Sequence, residues 1–259
     1  MFHIIKAYIN FLYNSKNEHG VHSPFVFNLV TKCFYDKTNY PEYSILKNYR
    51  KSLLANKNFI DVTDFGAGSR IFKSNKRPIA KIAKTAGISP KRAELLFRIT
   101  NYFQPDNILE IGTSLGLATS ALSLGKSDAK ITTLEGCKNT LALAKQQFET
   151  FEINNINSVA TEFNSFLTNC QLPTEHCQLI YFDGNHSKQA TLEYFELLLP
   201  TITNETVWIF DDIHWSKGME EAWEIIKSHA KVTATIDTFQ WGFVFFREEQ
   251  PKEHFVIRV

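Results

Sequence analysis

Four cysteines, eleven glycines, eight prolines and two methionines are few for 259 residues, and each scarcity excludes something. Cys33, Cys137, Cys170 and Cys177 stand alone; no CxxC pair exists, and even Cys170 and Cys177 have the wrong spacing for a zinc knuckle or a redox motif. Met1–Tyr13 is apolar, but Lys6 and Asn10 interrupt it, and it is too short for a secretory h-region or a membrane span. The thiols are therefore expected to be reduced, in a cytoplasmic protein. Low glycine and proline and the lack of a short repeat exclude collagen, coiled-coil and low-complexity classes. Charge of one sign is also missing. Lys+Arg 28 against Asp+Glu 27 gives a net charge of +1, which removes the electrostatic argument for a dedicated nucleic-acid binder. Apolar residues are plentiful: 44% hydrophobic against 21% charged, with 22 phenylalanines, predicts a full and Phe-rich core.

The apolar pattern changes near residue 105. Beyond it, short β-branched runs (Ile108–Ile111, Lys130–Leu134, Ser158–Ala160, Gln178–Phe182 and Thr206–Phe210) alternate with stretches of helical period. Among the helical stretches, Leu117–Leu124 is small and apolar. Leu141–Phe151 puts Leu141, Ala144, Phe148 and Phe151 on one face, and Thr191–Leu199 does the same with Leu192, Phe195 and Leu199. Continuously apolar strands separated by helices predict an α/β fold with a parallel sheet covered on both faces. Val232–Thr238 and Gly242–Phe246 are joined by only three residues, so they form an antiparallel hairpin, with an antiparallel strand at or near one edge. Upstream, Lys6–Tyr13 and Pro24–Phe34 read as short aromatic helices. Ser89-Pro90 starts a further helix that runs to about Phe103, with Leu95, Leu96, Ile99 and Phe103 inward, before Pro105. The domain reading is an N-terminal helical cap or lid over 1–88 and a nucleoside-binding domain over 89–259.

The sharpest chemical signal is Ile108-Leu-Glu110-Ile-Gly112-Thr-Ser114-Leu-Gly116, a strand followed by glycines and a helix. The glycines let a ligand approach the backbone closely, and the helix start offers free N–H groups. Glu135 ends the next strand, where a carboxylate can accept both hydroxyls of a ribose. The loop lacks the middle glycine of G-x-G-x-x-G, and Glu110 at its entrance is a poor neighbour for a pyrophosphate. A carboxylate there suits an ammonium-bearing ligand. S-adenosylmethionine, with its ribose, amino group and sulfonium, fits both acids.

On these residues the chain resembles the class I S-adenosylmethionine-dependent methyltransferases over roughly residues 90–246, the terminal antiparallel strand included. Glu110–Gly116 is similar to the family's first motif and Glu135 to its ribose-binding acid. The resemblance implies that Glu110 and Gly112 line the methionine end, that Ser114 and Gly116 bind the cofactor with them in the same loop, and that Phe163, after Glu162, contacts adenine. Asp183-Gly-Asn-His186 and Asp211-Asp212-Ile-His214-Trp215 resemble strand endings of small-molecule O-methyltransferases related to the catechol type. In metal-dependent members such acids hold a divalent cation, so Asp183, Asp211 and Asp212 are the expected ligands of Mg²⁺. Both strand ends face the crevice at the sheet's carboxyl edge, and a hard oxygen site suits that ion. Asp183 has a second expected role against the cofactor. Without metal, His186 or His214 is the candidate base for the acceptor hydroxyl.

Other readings stay open at this point. Asp211 or Asp212 is equally a cap for the next helix. Arg70–Arg92 holds Arg70, Lys73, Lys76, Arg77, Lys81, Lys84, Lys91 and Arg92 with no acid, which would suit an RNA methyltransferase, although no target-base motif accompanies it. A nicotinamide-dependent oxidoreductase and a non-catalytic nucleoside-binding protein are the further rivals. Asp64-Phe-Gly-Ala-Gly-Ser69 mimics the glycine loop but has no second-strand acid behind it, and reads as a turn in the cap. His19-Gly-Val-His22-Ser-Pro24 reads as a turn into a helix. The expected partner is a small-molecule acceptor, with no membrane and no nucleic acid; a homodimer is left open.

Overall fold

Strands that are apolar on both faces must be covered on both, and the chain does this with helices from its two halves. The computed structural model describes residues 2–63, 72–169 and 177–259. The first part comprises α1 (Phe2–Asn14), α2 (Pro24–Leu29), α3 (Glu42–Ala55), the hairpin strands β1 (Phe59–Asp61) and β2 (Lys76–Pro78), α4 (Ile79–Thr85) and α5 (Pro90–Phe103). Alternation follows: β3 (Asn107–Ile111), α6 (Leu117–Gly125), β4 (Lys130–Glu135), α7 (Lys138–Thr150), β5 (Ile156–Ala160), α8 (Phe163–Thr168), β6 (Leu179–Phe182), α9 (Lys188–Leu198), β7 (Val207–Asp211) and α10 (Lys217–Ser228). The chain ends with β8 (Ala234–Asp237), β9 (Trp241–Phe245) and β10 (Glu253–Val256). Among the described residues no helix is long and apolar enough to cross a membrane.

The sheet runs β10-β8-β9-β7-β6-β3-β4-β5. Every pairing from β7 through β6, β3 and β4 to β5 is parallel, and β9 is antiparallel to both β7 and β8. The expected hairpin is therefore present, but its antiparallel strand lies inside the sheet. The edge belongs to β10, which pairs parallel with β8; its Glu253-His-Phe-Val256 run is too short and polar to read as a strand in isolation. The order reverses at β3, whose neighbours are β4 and β6, and a crevice opens beyond the carboxyl ends at that switch point.

Local chemistry sets the helix boundaries. Ser89 Oγ accepts from Arg92 N at the start of α5, and Gln104 ends it in the left-handed conformation (φ 50°), just before Pro105. Ser23 caps α2 in the same way, as expected for a turn into the Pro24 helix. The single helix expected over Pro24–Phe34 is instead α2 followed by a π-helical turn, Val30–Phe34, closed by Tyr35 N donating to Val30 O at 2.9 Å.

Alternate strand residues divide the core. Leu109, Ile111, Ile180, Phe182, Trp208 and Phe210 face one layer, where Phe182 and Phe210 stack at 4.1 Å. Ile108, Leu179, Tyr181, Val207 and Ile209 face the other, together with Val26, Leu29, Tyr49, Leu53 and Leu96 from the first hundred residues. Phe25 meets Phe245 at 5.0 Å and Phe34 meets Phe243 at 5.1 Å. The N-terminal helices thus share their core with the sheet. Phe34→Ala is expected to cost about 3–5 kcal/mol and to lower one cooperative transition in a thermal or urea melt; a separate early transition for the N-terminal helices would contradict the shared core.

Candidate functional site

The crevice at the switch point is a cleft of about 660 Å³. Its donor side is built by the turn between β3 and α6. Gly112 has φ +107°, and a Cβ there would stand 2.5 Å from the Asp183 carbonyl oxygen. Gly116 has φ +76° and is pressed against Phe148 and the Tyr49 hydroxyl. Only glycine fits both. Ser114 N donates to Glu135 Oε2 at 2.8 Å and Cys137 N to Oε1 at 2.9 Å, so one carboxylate ties together the turns after β3 and β4. A carboxylate accepting two bonds retains lone pairs for a further donor. The Phe163 ring lies where a Cβ on Gly184 would be.

Of the residues expected to hold a cofactor, Gly112, Ser114, Glu135, Phe163 and Asp183 line the cleft. Gly116 sits behind the turn. Glu110 differs from the expectation: it is fully buried and lies outside the cleft lining, with Oε2 accepting from the hydroxyls of Thr119 and Thr133 and Oε1 without a partner among the described residues. The two-residue period of β3 turns it into the N-terminal layer beside Ile108, so it braces the turn from beneath. Burial lifts its carboxyl to about 8, against the pull of the two threonines and with help from the charge of Glu135.

The opposite side of the cleft carries Asp183, His186, Asp211, Asp212, Trp215 and Arg92. Asp183 follows β6, and Asp211 is the last residue of β7. Asn185 (φ 49°) and Asp212 (φ 54°) take left-handed backbone there, which short polar side chains tolerate. His186 Nε2 lies 3.6 Å from Asp183 Oδ1. Burial opposes charge on that imidazole, but the Asp183 carboxylate and the charges of Asp212 and Asp211 outweigh it and hold His186 at about 9. Burial and then the charge of Asp211 push Asp183 well above the usual carboxylate range. Asp212 is lifted to about 6 by burial and by Asp211, against the pull of His186 and Arg92.

Asp211 has partners on both oxygens. Oδ1 accepts from an Arg92 Nη2 donor and from Asp212 N (2.8 Å), and Oδ2 accepts from the Tyr181 hydroxyl at 3.2 Å. The guanidinium also lies over the Trp241 ring, 4.8 Å from its centre. A divalent ion does not fit this arrangement. Among the described residues no three His, Cys, Asp or Glu side chains are placed to hold one, and the acid central to the expected set is already engaged by a cation. His214 stands apart from the cleft lining. Its Nδ1 is 2.9 Å from Glu220 Oε1 and its Nε2 2.9 Å from Asp237 Oδ2, and the ring stacks on Phe239, so it joins α10 to the end of β8.

Arg92, Tyr181 and Trp215 were not singled out as site residues from the sequence. Arg92 belonged to the basic strip, which the structure breaks up. Arg92 turns inward and Arg77 lines the cleft, whereas Lys73, Lys76, Lys81, Lys84 and Lys91 are exposed. Arg70 and the Asp64–Ser69 loop lie outside the described residues. The signal available for Arg92 was its position two residues past Pro90, in the first turn of a helix directly upstream of β3.

The strand order, the glycine turn and the acid after the second strand of the alternating unit define the class I S-adenosylmethionine-dependent methyltransferase fold. A family model for a methyltransferase domain matches residues 109–213, the stretch from β3 to just past β7. The fold is similar to the SAH-bound methyltransferase PaMTH1 of Podospora anserina (12% identity, 88% of this chain and 97% of that one, TM-score 0.62). It is similar also to an O-methyltransferase of Bacillus cereus in complex with SAH (20%, 85% and 95%, 0.56). The O-methyltransferase TomG of Streptomyces achromogenes, in complex with SAM, is a third (17%, 62% and 82%, 0.54). No curated protein matches the sequence.

Two expectations test the titrations. By NMR, the His186 ring should titrate near 9, and in Asp183→Asn it should fall toward the ordinary histidine value of about 6.5; an unshifted midpoint in the variant would remove the pairing. Glu110 binds its proton more tightly folded than unfolded, so its contribution is full below 4.5 and is lost as pH rises through about 8. Glu110→Gln should therefore gain stability on the wild type across that window, by at most about 3–5 kcal/mol in denaturant melts. A pH-independent difference would contradict the raised carboxyl.

Proposed function

We propose that this chain transfers the methyl group of S-adenosylmethionine to a hydroxyl oxygen of a small-molecule acceptor. The observation that carries the reading is one cleft with two unlike sides: a glycine turn clasped by Glu135 facing a cluster of Asp183, His186, Asp211, Asp212 and Arg92. The donor side suits a nucleoside. Glu135 accepts from the ribose hydroxyls, the Gly112 turn lets the methionine end approach the backbone, and Phe163 offers a face to the adenine. The fold and the methyltransferase-domain match support the same cofactor, as does the SAM or SAH bound in the similar structures.

In the transfer, the acceptor oxygen forms a bond to the methyl carbon while the carbon–sulfur bond breaks and sulfur keeps the electron pair, leaving S-adenosylhomocysteine. The hydroxyl proton goes to His186 in its neutral form. A sulfonium brought into the same cleft opposes the imidazolium and favours that form. Asp183 orients the ring, and the site mainly supplies alignment of oxygen, methyl and sulfur. Glu110 and His214 serve this reading only through the scaffold.

Calorimetry with S-adenosylmethionine, S-adenosylhomocysteine and NAD tests it. Both adenosyl compounds should bind, and Glu135→Ala should weaken both by roughly 1.5–3 kcal/mol, the scale of hydrogen bonds to a charged group. Unchanged affinity in the variant would sink the ribose assignment, and preference for NAD would sink the methyltransferase reading.

A further inference from the structure

The acceptor side of the cleft concentrates three carboxylates, an arrangement that in a buried setting demands positive charge close by. The resemblance noted from sequence supplies that charge with a divalent ion held by Asp183, Asp211 and Asp212. In this chain the charge is already present as a side chain. Arg92 reaches down from the first turn of α5 and donates from Nη2 to Asp211 Oδ1, its guanidinium resting on the Trp241 ring. The Tyr181 hydroxyl takes the other Asp211 oxygen, so the carboxylate has its hydrogen-bonding capacity directed at protein donors. Around this pair, His186 faces Asp183 at 3.6 Å, a second group able to carry positive charge. A dication entering here would have to displace Arg92 from Asp211 and sit beside a guanidinium that cannot lose its proton. Arg92 also lines the cleft itself, so it is presented to whatever occupies the acceptor side, and its buried Nε–H has no partner among the described residues.

We infer that Arg92 is the resident cation of the acceptor side, standing where metal-dependent relatives would carry a divalent ion, so that the site operates without metal. The inference rests on the methyl-transfer reading for its setting but concerns a different half of the cleft. Arg92 is a positioning residue: it neutralises Asp211, fixes that carboxylate beneath the acceptor, and presents a permanent positive charge to an acceptor oxygen as that oxygen gives up its proton. A guanidinium polarises less strongly than a dication, but it is built in and needs no loading.

The decisive measurement is Mn²⁺ binding, read by electron paramagnetic resonance on the full chain with S-adenosylhomocysteine present. The wild type should bind no Mn²⁺ at sub-millimolar concentration, and a chelator should leave its S-adenosylhomocysteine affinity and melting temperature unchanged. One Mn²⁺ bound by the wild type and lost in Asp212→Asn would overturn the inference. Arg92→Met removes the charge at similar length and leaves Asp211 without its cation; it should lower the melting temperature by several degrees, and adding Asp211→Asn should recover most of that loss. An Arg92→Met melting temperature equal to that of the wild type, or no recovery on adding Asp211→Asn, would equally overturn it. The wild-type measurement decides the question whether or not that variant folds. Failure of S-adenosylhomocysteine to bind would count against the methyl-transfer reading alone, because Mn²⁺ binding is scored separately.

Discussion

The two-residue period of three adjacent parallel strands governs most of what this site can be. In β3, β6 and β7 the register pairs Glu110 with Tyr181 and Tyr181 with Ile209. Residues at alternate positions (108 and 110, 179 and 181, 207, 209 and 211) therefore all face the layer built by the N-terminal helices. That parity puts four polar groups, Glu110, Tyr181, Asp183 and Asp211, along the face covered by α5. A one-residue slip of β7 would send Asp211 into the Trp208–Phe210 layer, where nothing could pair it. Carboxylates in such a place need partners, and the helix packed over them supplies Arg92. Removing one partner of a buried pair of this kind costs about 3–5 kcal/mol, much of it the penalty of leaving the other charge uncompensated. The N-terminal helices are therefore part of the chemistry as well as of the core.

The donor and acceptor sides solve different problems with different materials. On the donor side the work falls to backbone. Two glycines at positive φ, Ser114 N and Cys137 N fix a turn whose shape leaves little freedom to side chains, and Glu135 locks it. On the acceptor side the work falls to side chains whose charges must balance one another. Asp183 is pushed up and Asp212 is lifted to about 6 by burial and then by the charge of Asp211, whereas His186 is held at about 9 by the surrounding carboxylates against its burial. A backbone solution carries a recognisable sequence pattern because glycine has few substitutes. A charge balance has many solutions, and a metal, a histidine or an arginine can each supply the positive member.

That contrast explains which parts could be read from the residues. The strands from Ile108 to Phe210, the turn at Gly112–Gly116 and the acid at Glu135 follow from period and spacing, and the fold class follows from them. Glu110 was legible as an acid in a motif, but its direction was not: spacing from the glycines suggested a ligand contact, whereas strand parity relative to Ile108 turns it into the core. His214 shares a strand ending with Asp211, yet after the left-handed Asp212 the chain heads toward α10, where Glu220 and Asp237 take both ring nitrogens. Arg92 lay in a run of basic residues, and only the packing of α5 over β6 and β7 separates it from its exposed neighbours. The Arg92–Asp211 pairing joins positions 119 residues apart, and a linear pattern has no term for it.

An arginine in this position also constrains the pairing of proton acceptor and substrate. Arg92 keeps its charge at every accessible pH, and with the Tyr181 hydroxyl it holds the Asp211 carboxylate in place from both oxygens. Asp183 pairs instead with His186. The cleft thus sets the Arg92–Asp211 ion pair beside the Asp183–His186 pair, and the charge of Asp211 acts on both members of the second. The two lie at the ends of neighbouring strands, Asp183 following β6 and Asp211 closing β7, so the sheet itself fixes their relative position. The proton shared between Asp183 and His186 therefore answers to a neighbouring charge whose position Arg92 and Tyr181 fix.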